Sequence, residues 1–103
     1  KHKILICEPI LEQIDLTTFS IGDWIEQVVV GGESGPKARL CDYQWILDLR
    51  ETCEKEQVNF WFKQTGAKFL KNGKTFSIPR QLQHSQARRA NINLNFSNYP
   101  SEI

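Results

Sequence analysis

The chain alternates short, dense apolar runs with polar stretches that hold its turn residues. The first run, KILIC over residues 3 to 7, predicts a strand that stops near Glu8, because Pro9 has no N–H to give a ladder and restricts the residue before it. The connector ILEQIDLTTFSIGDW is too poorly patterned for a long helix, and Asp15, Thr17 and Gly22-Asp23 mark turns within it. IEQVVV, residues 25 to 30, ends on three β-branched residues without alternation, which predicts a strand buried on both faces. Gly31 and Gly32 stop it. From 43 to 57 the period changes to that of a helix. Ile46, Leu49 and Cys53 form an apolar stripe with Trp45 and Leu47 beside it, Asp42 stands where an N-cap is needed, and Arg50, Glu51, Glu54, Lys55 and Glu56 take the solvent side. NFWFK, residues 59 to 63, returns to strand.

Strand, glycine loop, helix and strand across residues 25 to 63 make a βαβ unit, whose strands run parallel. Further on, Asn72-Gly73 sits between two alternating runs in AKFLKNGKTFSIP. That dipeptide accepts positive φ at both central positions of a two-residue hairpin. The polar remainder holds one helical stretch near residues 80 to 90 and frays after about residue 95. Phe60, Trp61 and Phe62 read as core aromatics under the crossover helix, as do Trp24 and Trp45. The fold class is therefore α/β, with about three parallel strands and a C-terminal β-hairpin. Residues 1–66 hold the βα units and 67–103 a basic hairpin and tail within the same domain.

At 103 residues there is room for one domain with a modest core. No apolar run approaches the ~18 residues of a membrane span, so neither membrane insertion nor a membrane partner is expected. The chain has no methionine and enters a strand by its fourth residue, an opening that suggests a piece of a longer protein. Cys7, Cys41 and Cys53 are odd in number and widely spaced, which fits neither a disulfide framework nor a zinc knuckle; they read as reduced, buried thiols of a cytoplasmic protein, with no metal site. Charge is unevenly placed. Residues 1 to 62 hold eleven acids against six Lys and Arg, whereas residues 63 to 101 hold Lys63, Lys68, Lys71, Lys74, Arg80, Arg88 and Arg89 and no acid. Lys71, Lys74, Arg80, Arg88 and Arg89 are thus candidates for an anionic partner such as nucleic acid, the alternative being a basic face docked on an acidic neighbour.

The candidate chemistry lies at the strand ends. If the three strands are parallel, Glu8, then Glu33 and Ser34, then Lys63 and Gln64 share one rim, the place where α/β folds build sites. Two carboxylates, an ammonium and an amide there suit a polar ligand, and Gly31 and Gly32 would let backbone N–H groups approach it. The alternatives are a tight glycine turn and ion pairs of Glu8 and Glu33 with Lys63 or Arg39. The loop is neither a dinucleotide fingerprint nor a P-loop. His2 and His84 lack the setting of a general base, and no nucleophile has a visible partner.

ICEPIL, VVVGGESGPKAR, LRETCEKEQVNFWFKQTG and IPRQLQHSQARRA, in that order over about residues 3 to 92, resemble the C-terminal half of an uncharacterised bacterial and phage protein family. Its members look like radical S-adenosylmethionine barrels related to spore photoproduct lyase. The resemblance implies a partial (βα) barrel. It implies too that Glu8, Gly31, Gly32, Glu33, Ser34, Arg39, Lys63 and Gln64 contact cofactor or substrate. A [4Fe-4S] cluster and S-adenosylmethionine would belong to the full-length parent, since Cys7, Cys41 and Cys53 do not reproduce the cluster motif. This stretch alone would hold no cofactor and be inactive.

Two functions follow as expectations. One is the C-terminal part of a radical S-adenosylmethionine-like protein of unknown reaction, with nucleic acid as a candidate substrate and the missing N-terminal part of the barrel as its natural partner. The other is a non-catalytic module that binds nucleic acid or protein through the basic hairpin and tail. In isolation, open strand edges predict a homo-oligomer.

Overall fold

The computed structural model describes residues 3–96, in which six strands and two helices follow one another: β1 (Lys3–Cys7), β2 (Ile25–Gly31), β3 (Cys41–Asp42), α1 (Tyr43–Glu56), β4 (Asn59–Gln64), β5 (Lys68–Lys71), β6 (Lys74–Ser77) and α2 (Arg80–Ala90). The strands form two sheets, in the orders β1-β2-β4 and β3-β5-β6. The first sheet is wholly parallel, with Leu5 opposite Val28, Val28 opposite Phe60, and Val30 opposite Phe62. In this sheet the strand number and direction are as the sequence predicts. Among the described residues these strands do not close into a barrel: β1 has β2 as its only neighbour.

Burial explains the pattern. Val28 and Val30 are wholly buried and Val29 is 7% exposed, so β2 is covered on both faces. Successive side chains of a strand alternate faces. Hence Val28, Val30, Phe60 and Phe62 pack with Ile46, Leu49 and Cys53 of α1, while Ile6, Val29 and Trp61 share the opposite face. That second face is open at β1, where Ile4 is 55% and Ile6 64% exposed. Phe60 and Phe62 are core residues as expected; Trp61 is half-buried on the far face, and Trp24 is exposed with its Nε1–H donating to Phe19 O at 3.0 Å. An indole carries one donor, and a surface carbonyl satisfies it.

α1 begins where its cap predicts: Asp42 Oδ1 accepts from the Gln44 N–H at 2.9 Å. It ends at Gln57, whose φ of 56° turns the chain out of the helix. The hairpin also forms as read, with φ of 53° at Asn72 and 76° at Gly73. It is not free-standing, however. β3 adds to it in parallel, Cys41 opposite Phe69 and Asp42 opposite Leu70, a strand the sequence does not reveal because two residues are too few to show a period.

Beyond α2 the polar tail is ordered against β4. Phe60 and Leu94 exchange both backbone bonds at 2.9 Å, Asn93 Oδ1 accepts from Phe62 N–H at 2.8 Å, and Asn59 Oδ1 accepts from Phe96 N–H at 2.6 Å. Asparagine side chains thus replace ladder partners and cover the edge of β4. Fraying beyond that point, and His2, lie outside the described residues. Among the described residues, no helix is long and apolar enough to cross a membrane.

Candidate functional site

Parallel strands bring their carboxyl ends to one side of a sheet, and here that delivers three of the predicted residues into contact. Glu8 leaves the end of β1 and Lys63 and Gln64 close β4. Gln64 Nε2 donates to Glu8 Oε2 at 2.7 Å, and Lys63 Nζ stands 3.4 Å from Glu8 Oε1. Their half-covered setting, 19% side-chain exposure for Glu8 and 39% for Lys63, leaves the pair open to a ligand.

Ser34 joins from the loop after β2. Its Oγ lies 2.6 Å from Gln83 Oε1 and 3.1 Å from Gln64 Oε1. Both amides are oriented without ambiguity, since Gln64 Nε2 faces a carboxylate and Gln83 Nε2 faces the Ile78 carbonyl at 3.0 Å. Two carbonyl oxygens therefore converge on a hydroxyl with one proton. The shorter contact takes it, and Gln64 Oε1 keeps acceptor capacity at the rim.

Gln83, 2% exposed, is the member sequence reasoning missed. The signal was the helical spacing Gln83, Ala87, Ala90 within a segment that reads as wholly polar. α2 is further fixed to β4 by Thr65 N–H donating to Gln83 O at 3.2 Å, and by His84 Nδ1, 3.1 Å from Lys63 O. A carbonyl only accepts, so His84 carries its proton on Nδ1.

The two glycines serve packing. A Cβ on Gly32 would lie 2.4 Å from Thr65 O and 2.8 Å from Gly66 Cα, and one on Gly31 would lie 3.2 Å from Glu8 Oε2. The Gly32 N–H donates to Gln64 O at 3.1 Å, so it is bound within the chain and not turned to a ligand. Both alternatives posed by the sequence are present: the glycines pack closely, and Glu8 and Glu33 pair with Lys63 and Arg39 respectively.

Glu33 and Arg39 form a separate pair. Glu33 Oε1 accepts from the Arg39 backbone N–H and Nε, each at 3.0 Å, and Oε2 accepts from Nη2 at 2.9 Å. These hydrogen bonds hold the Glu33 carboxyl well below the usual range, at about 2. The pair clips the loop into one shape, with Gly35 at φ 103° in its bend. Of the eight predicted rim residues, then, the structure joins Glu8, Ser34, Lys63 and Gln64 in one network, packs Gly31 and Gly32 beneath it, and sets Glu33 and Arg39 in a clasp of their own.

No thiol is poised to react. Cys41 and Cys53 are buried, which pushes both up to about 12, and burial raises Cys7 as well. Among the described residues no group of three or more His, Cys, Asp or Glu side chains is placed to hold a metal. The basic candidates divide by position. Lys71 stands over the Tyr43 ring, 5.3 Å from its centroid, and lines a cavity between the hairpin and α2 together with Arg89. Lys74, Arg80 and Arg88 are exposed and outside that cavity.

No curated protein and no solved structure matches the chain. A family match covers residues 1–96, which spans β1 through the Leu94 bridge to β4 and so includes every element that builds the rim. On that match the chain belongs to DUF5131, a family of proteins of unknown function.

Proposed function

We propose that the rim binds the charged head of a small ligand bearing an ammonium and a carboxylate, as S-adenosylmethionine does, within a longer radical S-adenosylmethionine-like protein. The observation that carries this is the meeting of Glu8, Lys63, Gln64 and Ser34 at the carboxyl ends of parallel strands. Glu8 and Lys63 are an acid and a base already matched to each other, so a ligand with both charges replaces the pair without leaving either unpaired. Gln64 Oε1, without the Ser34 proton, accepts a further N–H from the ammonium. The three thiols of this chain do not fit a [4Fe-4S] cluster, two being buried and held protonated; in this reading a cluster belongs to another part of the longer protein. Titration of the isotope-labelled chain with S-adenosylmethionine, followed by amide shifts, tests the reading. Movement at Ser34 and Gln64 that Lys63→Met weakens about tenfold supports it; unmoved rim amides at about millimolar ligand overturn it.

The open face of β1 supports association as part of the same reading. Ile4 and Ile6 stand exposed beside an unpaired strand edge, a surface that a second copy or further parallel strands of a longer protein would cover. A second reading rests on a different observation. Among the described residues, Lys63 is the only cation of residues 63–96 in an ion pair with an acid. Lys68, Lys71, Lys74, Arg80, Arg88 and Arg89 are left for an anionic partner, and a nucleic acid is the polyanion that suits such a surface.

A further inference from the structure

We infer that the cavity between the hairpin and α2 holds one unstacked nucleotide of a single-stranded nucleic acid, its base on the aromatic side chains and its phosphate at Lys71 and Arg89. The inference deepens the second reading above and rests on it for the polymer; the pocket itself is an independent observation. The cavity measures about 440 Å³ and lies between β5–β6, the start of α1 and α2, and none of Glu8, Ser34, Lys63 and Gln64 lines it. Its floor is a cluster of rings: Tyr43 and Phe69 lie 5.5 Å apart between centroids, and Phe62 is 6.1 Å from each. Phe76, on β6, lines it as well and is 45% exposed.

Three properties select this occupant. The volume falls in the range of small-ligand pockets, about 300–1,000 Å³, and exceeds a crevice between packed side chains. The charged lining residues are Lys71 and Arg89, with no acid beside them, so an apolar peptide or a second copy's apolar stripe would bury both cations without partners. One exposed ring, Phe76, beside the half-buried Tyr43 and two cations without acids is a combination that takes single strands: every base offers a face to stack, and every nucleotide a phosphate. A duplex keeps its bases stacked and cannot fill a pocket of this kind without paying to flip one out. Lys71 is also held in place before binding, since its ammonium rests on the Tyr43 ring.

The test is fluorescence anisotropy with a labelled oligothymidylate and with the corresponding duplex, each at two salt concentrations. The single strand binds about tenfold tighter than the duplex. Phe76→Ala, a change at an exposed ring, weakens single-strand binding about tenfold and leaves the salt slope unaltered. Lys71→Ala with Arg89→Ala lowers the slope by ~0.7, the value of one phosphate contact, whereas Arg88→Ala outside the cavity leaves the base-dependent preference for single strands intact. Thermal melts confirm that each variant is folded. Duplex binding as tight as single-strand binding, or an unchanged affinity in Phe76→Ala, overturns the pocket. If the slope still falls in the double variant, the basic surface survives that failure; absence of binding to either probe sinks both. Neither outcome touches the rim, which the S-adenosylmethionine titration tests separately.

Discussion

At the strand ends the polar side chains have found one another. Glu8 is held by Lys63 and Gln64, Ser34 by Gln83, and the Gly32 N–H by Gln64 O. The cavity beside α2 is built from the same kinds of residue with the opposite result: Arg89 has no acid, Lys71 has only a ring, and Phe76 remains in water. The contrast teaches how to weigh a cluster. A network that is satisfied but for one acceptor, Gln64 Oε1, is rigid and selective, because a ligand must replace bonds already made, while cations without acids beside an open ring accept a partner with little displaced. The rim and the cavity should therefore respond differently to mutation: the first in stability as well as binding, the second in binding alone.

The largest stability effect is expected at Gly32. Its replacement by Ala drives a Cβ into the Thr65 carbonyl and Gly66, which are backbone and cannot turn aside, for a loss of about 3 kcal/mol in a chemical denaturation series. Gly73→Ala in the hairpin meets nothing within 4 Å and bears only the strain of φ 76°, about 1 kcal/mol. Equal losses at the two positions would dissolve the contrast.

Gln83→Ala comes next, at about 2 kcal/mol by the same measurement, since it strips a buried partner from Ser34 and from the Ile78 carbonyl. Lys71→Ala should then cost no more than about 0.5 kcal/mol, the scale of an exposed cation over a ring, although the same change removes a phosphate contact in the binding assay.

The Glu33–Arg39 clasp has the smallest effect and the clearest pH signature. Because the folded-state pKa of Glu33 is depressed, the clasp contributes fully above the ordinary glutamate pKa and is lost as pH falls through about 2. The Arg39 amide shift followed by NMR should show a midpoint near 2, and in Arg39→Ala the Glu33 carboxyl should titrate in the ordinary range.

Much of this was legible from residues alone, for reasons of length and period. β1, β2 and β4 show apolar runs long enough to recognise, α1 has both stripe and cap, and Asn72-Gly73 names its own turn. What escaped was carried by one or two residues at a time. β3 is too short for a pattern, Asn59 and Asn93 substitute side chains for a ladder, and Gln83 is a buried polar group in a helix that looks solvent-facing throughout. The rim was readable as a location because parallel strands determine which ends meet. Its membership was not, since Glu33 had two basic residues within reach of reasoning and only geometry assigns it to Arg39.

The central claim is that the ends of β1 and β4 meet at one mouth, with Glu8 against Lys63 and the cations of the cavity side left without acids. A zero-length carbodiimide crosslink, mapped by tandem mass spectrometry on the monomeric species, tests it most directly. The account predicts an isopeptide bond between Glu8 and Lys63 and none from Lys68, Lys71 or Lys74. A Lys63 joined to another acid, or an intramolecular crosslink from Lys71 or Lys74, would contradict it.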